Sequence, residues 1–340
     1  MDNIDKELLN ILQTSFPVCV KPFAKMGEDL NISEQEVMER ITKLKEDKII
    51  RQISAIFDTK SLGYESSLVA AKVAVDNLDH AVEVINAHPG VSHNYLRNHD
   101  FNVWFTMAVP PNSRLGLIKT IELLGEEAGV VSIRPLQTLK LFKIGVKFDM
   151  TGKGSITGKE EKKVKKAKQE LPQITEAEIE FVKSLQKHLD VVSEPFARAA
   201  EELGISQEAV CDEINKFVEN GRMRRFAAVL HHRKAGFKSN AMGVWAVSDD
   251  KKYEVGEEMA SFKAVSHCYL RPTYPDWPYN VFTMVHGQSK EDCEEILQTI
   301  SDETGITDRS ALYSSKEYKK VRVIYFTQEL LDWENARIDS

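Results

Sequence analysis

The chain has 340 residues, 42% hydrophobic and 29% charged, with a formal net charge of −7; this is a globular profile, not a disordered or fibrous one. No apolar run is long enough to span a membrane, the start Met1-Asp2-Asn3-Ile4-Asp5 lacks the apolar core of a secretion signal, and Cys19, Cys211, Cys268 and Cys293 show no paired spacing. A cytoplasmic protein without disulfides or a dedicated metal site is expected, and the acidic charge weighs against nucleic acid.

Ile4, Leu8, Ile11 and Leu12 form the apolar stripe of a first helix. Pro22 opens a second, reaching Leu30, and Ser33-Glu34-Gln35-Glu36 caps a third whose inner face is Val37, Ile41 and Leu44. Three short helices with tight connections predict a helix-turn-helix, and the β-rich stretch 49–57 its wing. After Gly63 the pattern predicts a strand over 67–75, a helix over 78–87, strands over 91–97 and 102–109, a helix over 113–125 and a strand over 131–142. That β-α-β-β-α-β order is ferredoxin-like. Glycines 152, 154 and 158, then a Lys/Glu run, mark a linker.

The second half repeats the first. Val91-Ser92-His93-Asn94-Tyr95-Leu96-Arg97 recurs as Val265-Ser266-His267-Cys268-Tyr269-Leu270-Arg271, Pro22-Phe23-Ala24 as Pro195-Phe196-Ala197, and Phe105-Thr106-Met107 as Phe282-Thr283-Met284. A collinear series of this kind is the signature of duplication. The expected class is therefore α+β: two tandem copies of a winged helix-turn-helix followed by a ferredoxin-like domain. The expected boundaries are 1–60 and 61–150, a linker over 151–172, then 173–234 and 235–340. One small sheet leaves a face uncovered, so the copies should pair as an internal pseudo-dimer.

A helix-turn-helix suggests DNA binding, but the third helices are acidic. The first carries Glu34, Glu36, Glu39, Glu46 and Asp47 against Arg40, Lys43 and Lys45; the second carries Glu208, Asp212, Glu213 and Glu219 against Lys216. Such surfaces repel phosphates, and packing elements are the better reading. Cations and imidazoles gather instead on the second wing, as Arg222, Arg224 and Arg225 followed by His231, His232, Arg233 and Lys234. On the repeated strand, His93, Tyr95 and Arg97 share one face, as do His267, Tyr269 and Arg271. An imidazole, a phenol and a guanidinium together can bind an anion and deliver a proton. The loop Pro272-Thr273-Tyr274-Pro275-Asp276-Trp277-Pro278-Tyr279 offers an aromatic wall for a flat ligand; the first copy has only Asn98-His99-Asp100-Phe101 there.

The layout resembles the Lrp/AsnC regulators, and specific strings resemble the siroheme decarboxylases built on that scaffold. These are Arg224-Arg225-Phe226-Ala227-Ala228-Val229-Leu230-His231-His232-Arg233, Val265-Ser266-His267-Cys268-Tyr269, Trp277-Pro278-Tyr279-Asn280 and Phe282-Thr283-Met284-Val285-His286-Gly287 in the second copy. In the first they are Val91 to Arg97 and Leu139-Lys140-Leu141-Phe142-Lys143. The resemblance implies that two usual subunits are fused, and that two acetate carboxylates leave siroheme as carbon dioxide to give didecarboxysiroheme for haem or nitrite-reductase haem biosynthesis. It also implies no separate cofactor, since the iron belongs to the substrate. His93 and His267 are then the candidate proton donors, assisted by Tyr95 and Tyr269. Arg97, Arg224, Arg225, Arg233, Arg271, His231, His232 and Trp277 are the candidate substrate-binding groups. His93, His231 and His267 are the candidate axial ligands. Competing readings are a tetrapyrrole-sensing regulator and a non-catalytic carrier; further homodimerisation is left open.

Overall fold

The computed structural model describes residues 1–144, 171–230 and 239–338. In the first copy, a capping box between Asp2 and Asp5 opens α1 (Asn3–Thr14). Proline starts α2 (Pro22–Leu30), which ends on Asn31 in the left-handed region. The Ser33 hydroxyl caps α3 (Glu34–Glu46), which buries Val37, Ile41 and Leu44 as its spacing predicts. The chain continues through β1 (Ile50–Phe57), β2 (Glu65–Lys72), α4 (Leu78–Ala87), β3 (Val91–Arg97), β4 (Val103–Val109), α5 (Gly116–Glu127), β5 (Ser132–Leu136) and β6 (Lys140–Ile144). The second copy repeats this as α6 (Glu176–Leu185), α7 (Ala197–Leu203), α8 (Gln207–Glu219), β7 (Met223–Leu230), β8 (Ser239–Trp245), α9 (Lys252–Ser261), β9 (Val265–Leu270), β10 (Val281–Gly287), α10 (Lys290–Thr304) and β11 (Arg309–Lys320). A final helix, α11 (Gln328–Ile338), follows.

The α+β duplication is borne out. The helix-turn-helix halves share one core, in which Val37 and Ile41 of α3 and Val210, Ile214 and Phe217 of α8 are fully buried. Their wings do more than flank them. β1 and β7 pair antiparallel with each other, and each bulges at its first arginine, Arg51 and Arg224. The remaining strands form a nine-stranded sheet in the order β5-β2-β4-β3-β11-β8-β10-β9-β6. Within it each copy keeps its own ferredoxin-like order, β5-β2-β4-β3 and β11-β8-β10-β9.

The copies are joined by strand exchange. β11 pairs through Arg309–Tyr313 with β8 of its own copy and from Ser314 onward with β3 of the other. The single strand expected over 131–142 is correspondingly two: β5 stays beside β2, while β6 crosses to β9. Helices cover the outer faces, with Ile121 of α5 in one cluster with Val69 and Phe105 and Ile296 of α10 in another with Val265 and Val285. The inner faces meet in a mixed cluster of Trp104, Leu136, Met242, Trp277, Phe282 and Leu312. Burying each such side chain contributes on the order of 2 kcal/mol, so this shared cluster holds the two copies together.

One detail of the repeat is corrected. Tyr95 pairs with Trp104 and Tyr269 with Phe282, so Thr106 corresponds to Met284, one residue away from the Phe-Thr-Met match read in the sequence. Asn102 and Asn280 fix this register. Each side-chain amide accepts from and donates to the backbone of a valine just past β2 or β8, Val73 or Val247. The longer loop before β10 absorbs the difference.

Candidate functional site

β3 and β9 each carry a β-bulge at the residue before the histidine, Ser92 and Ser266. A bulge re-aims the neighbouring side chains, and here it turns each serine hydroxyl onto its own imidazole. Ser92 Oγ lies 3.0 Å from His93 Nδ1, and Ser266 Oγ lies 2.8 Å from His267 Nδ1. Past the bulge the strand alternates as expected. His93 stacks near Tyr95 with ring centroids 6.3 Å apart, and His267 near Tyr269 at 6.1 Å. Burial lowers the pKa of both histidines; Lys320 and Arg51 lower that of His93 further, against Glu317. Burial raises both tyrosines. All four groups are therefore biased towards their neutral forms.

Arg97 and Arg271 complete the two rows but face inward. Arg97 lies over Tyr95 and Trp104, and its Nη1 donates to the Leu312 carbonyl across the copy boundary at 3.1 Å. Arg271 is 8% exposed, lies 4.7 Å over the Tyr269 ring and donates to the Leu136 carbonyl of the first copy. Burial pushes both guanidinium groups down to about 10. These arginines tie the copies together and brace the tyrosines. Trp277 is likewise a core residue: it is fully buried, edge-on to His99, Phe101 and Trp104. The expectation that it walls an open site gives way to packing, because its loop folds into the mixed core shared by the two copies.

The wings supply the accessible cations. Arg224 is 57% exposed and pairs with the buried carboxylate of Asp58 at 3.1 Å. Arg225 is exposed and has no carboxylate partner among the described residues. Sequence reasoning missed two companions. Arg51 is the bulge counterpart of Arg224, and Arg322, just past β11, donates to Ser54 Oγ at 2.6 Å. Burial lowers the Arg322 pKa, and the Arg51 and Arg225 charges lower it further. Arg224 in turn acts on the Tyr269 phenol, and Arg51 on His93. A like-charged ribbon thus lies within electrostatic reach of both His-Tyr rows. The repeat of Arg51 at Arg224 was the available signal; nothing local marks Arg322. Arg222, by contrast, is buried on Glu178 and on the carbonyls of Ser61 and Pro172, a structural role. His231, His232 and Arg233 lie outside the described residues.

The two rows differ in surroundings. Beside Tyr95 and His93, the exchanged strand places Glu317 and Lys320; beside Tyr269 and His267, it places Leu141 and Ile144. Directly paired residues share a sheet face. Leu141 and Ile144 are 36% and 52% exposed, so the second row has an apolar flank and the first a polar one. Two clefts, of about 790 and 530 Å³, contain none of the candidate residues. The larger is lined by Glu39, Glu46 and Asp47 against Lys43, a net acidic wall unsuited to an anion.

Comparison with known proteins gives this geometry a context. A siroheme decarboxylase NirDL-like helix-turn-helix domain matches residues 5–51 and 178–224, and an AsnC-like ligand binding domain matches 61–143 and 234–319. A siroheme decarboxylase of Hydrogenobacter thermophilus is 39% identical over 98% of this chain and 98% of its own. The chain belongs to the siroheme decarboxylase family. The β subunit of the Methanosarcina barkeri enzyme is 45% identical over 43% of this chain and 96% of its own length. The α subunit from Desulfovibrio desulfuricans is 45% identical over 44% and 85%. This family member therefore joins in one polypeptide what those relatives divide between subunits. The crystal structure of the siroheme decarboxylase NirDL superposes with a TM-score of 0.78 at 35% identity, covering 99% of both chains. A NirDL co-complex with an iron-uroporphyrin III analogue gives 0.77 at 34%, again covering 99% of both.

Proposed function

We propose that this chain is a carboxy-lyase that removes the two acetate carboxylates of siroheme as carbon dioxide, leaving didecarboxysiroheme. The observation that carries this reading is a His-Tyr row with an apolar flank at Leu141 and Ile144, its Tyr269 phenol within the field of the wing arginine Arg224. Siroheme is a flat macrocycle with eight carboxylates and needs an apolar seat with cations at its rim. Arg51, Arg225 and Arg322 meet that need, with Arg224 already half-satisfied by Asp58. Charge-assisted bonds of this type contribute about 1.5–3 kcal/mol each.

Loss of carbon dioxide leaves an electron pair that the macrocycle delocalises, and the former acetate carbon then takes a proton. A half-buried neutral imidazole suits this step. The substrate's negative charge raises the pKa of a nearby histidine, so the proton arrives with the substrate. His267 or His93 then donates it, with Tyr269 or Tyr95 beside it, for a gain of ~10²–10⁴-fold. An arginine clamped on a departing carboxylate would stabilise the ground state and slow the reaction. The arginines therefore hold the carboxylates that remain.

DNA reading finds no support in α3, where Arg40 is consumed by Asp2, Asp5 and Glu36, all at 2.8–2.9 Å. The deciding experiment is anaerobic incubation of the purified chain with siroheme, followed by product mass. Loss of two carbon dioxide units is expected. Siroheme bound tightly but unchanged would establish the carrier instead.

A further inference from the structure

The bulged serine of the second copy begins a hydrogen-bonded chain that the first copy lacks. Ser266 Oγ lies 2.8 Å from His267 Nδ1 and 2.6 Å from His286 Nε2, and His286 Nδ1 lies 2.5 Å from Asn240 Oδ1. The acceptor at the far end sets the polarity of the whole chain. Asn240 Oδ1 can only accept, so His286 Nδ1 carries a hydrogen and its Nε2 presents a lone pair. The Ser266 hydroxyl hydrogen fills that lone pair at 2.6 Å, with the Met284 carbonyl at 3.3 Å as a second, longer acceptor, and both draw it away from His267. The Ser266 oxygen is then left to accept from His267, whose Nδ1 must carry a hydrogen. His267 Nε2 becomes the one nitrogen that can gain or lose a proton.

Nothing equivalent holds His93. The counterparts of His286 and Asn240 are Ala108 and Ser66, paired in the same register. There Ser92 Oγ meets Thr106 Oγ1 at 2.8 Å, and either hydroxyl can be the donor. A chain of two hydroxyls can run in both directions, so it does not choose a tautomer.

We propose that Ser266, His286 and Asn240 are positioning residues that lock His267 in its Nδ1–H tautomer, making the second copy the half that handles the proton and the first the half that completes the binding surface. This rests on the decarboxylase reading for its chemistry. The tautomer itself is a property of the free chain. Outer partners that fix a functional imidazole typically carry about 10–100-fold in activity or affinity when removed.

The test uses the full chain labelled with ¹⁵N-histidine. Long-range ¹⁵N–¹H correlations are expected to show His267 as a single Nδ1–H tautomer and His93 as a mixture. His286→Ala should convert His267 to a mixture. It should also lower kcat by about 10–100-fold while KM stays within about twofold. His286→Gln should restore most of kcat, because its amide oxygen can again accept from Ser266. Asn240→Leu, at an exposed position, removes only the terminal acceptor and should mix the tautomers as well; it keeps the question decidable if His286→Ala does not fold. An Nε2–H tautomer in the parent, or an unchanged tautomer and kcat in both folded variants, would overturn the proposal. If the parent released no carbon dioxide, the decarboxylase reading would fall while the spectra still decided the tautomer.

Discussion

Tyr269 on β9 stands directly opposite Leu141 on β6, a strand that belongs to the other copy. The His-Tyr face of the second copy is therefore completed by the first, and the reverse holds where Glu317 of β11 faces Tyr95. Duplication followed by exchange lets one half acquire an apolar flank without altering its own strand. It also explains why two almost identical strands, Val91–Arg97 and Val265–Arg271, sit in chemically different sites.

The apolar flank gives the first prediction. Leu141→Asp places a carboxylate where the macrocycle edge is expected to rest. It removes apolar contact worth on the order of 1 kcal/mol and adds repulsion against a polyanion. Siroheme affinity, followed by absorbance titration, should weaken about tenfold or more. The melting temperature should barely move, because the position is 36% exposed. Glu317→Asp in the first copy, which keeps its charge, should leave affinity nearly unchanged.

Arg225 and Arg224 should behave differently although they are adjacent. Arg225→Ala removes a cation with no carboxylate partner among the described residues. It should raise the siroheme Kd about tenfold with no loss of stability, by analogy with a single charge-assisted bond. Arg224→Ala also takes the guanidinium away from the Asp58 carboxylate, which is 8% exposed and keeps the Ser61 N–H at 3.0 Å. It should therefore cost about 1 kcal/mol of stability as well. Titrations at rising salt should show weaker binding for the parent and a shallower dependence for both variants.

Much of this was legible in the sequence, for physical reasons. Periodicity exposed the buried stripes of α3 and α8, and alternation placed His267, Tyr269 and Arg271 in one row. What alternation cannot show is depth: Arg271 shares a row with His267 yet reaches a carbonyl of the other copy, and Trp277 turns inward. Strand exchange was hidden because Leu139 to Lys143 read as the end of a long strand rather than as a crossing. The bulge at Ser266 was hidden too, since an extra residue in one strand leaves no mark on that strand alone. Those two features bring Leu141, Ile144, His286 and Asn240 to the site.

His88 predicts a pH dependence. It is 1% exposed, its Nδ1 accepts from the Gly90 N–H at 2.9 Å, and the edge of Trp333 closes over it. Burial, with Lys319 and Arg337 nearby, lowers its pKa to about 3. In the unfolded chain the group titrates near ~6.5. Below that value the unfolded state binds a proton that the folded state refuses, so this contribution is full above about pH 6.5 and is lost as pH falls towards 3. The slope is about 1.4 kcal/mol per pH unit for one such group. His286, lowered to about 4, adds in the same direction. Denaturant melts of His88→Gln should show a shallower loss of stability between pH 6.5 and 4.5 than the parent; parallel curves would contradict this account.

The exchange itself can be tested at Gly256. Its missing side chain makes room for the Phe142 ring of β6, which packs against α9; an added Cβ would overlap that ring at once. Phe142 is 5% exposed and is the main apolar anchor of β6 in the second core. Gly256→Ala should eject the ring and loosen β6 from β9. The cost should approach the ~3–5 kcal/mol of losing a buried Phe, with gains from alanine's helix propensity too small to offset it. Amide exchange should then quicken along Lys140–Ile144, and siroheme affinity should fall because Leu141 and Ile144 leave the site. Adding Phe142→Ala to Gly256→Ala should cost little more, since the clash and the anchor are the same contact. If the two losses instead added in full, β6 would be held by its backbone ladder, and the apolar flank would owe nothing to Phe142.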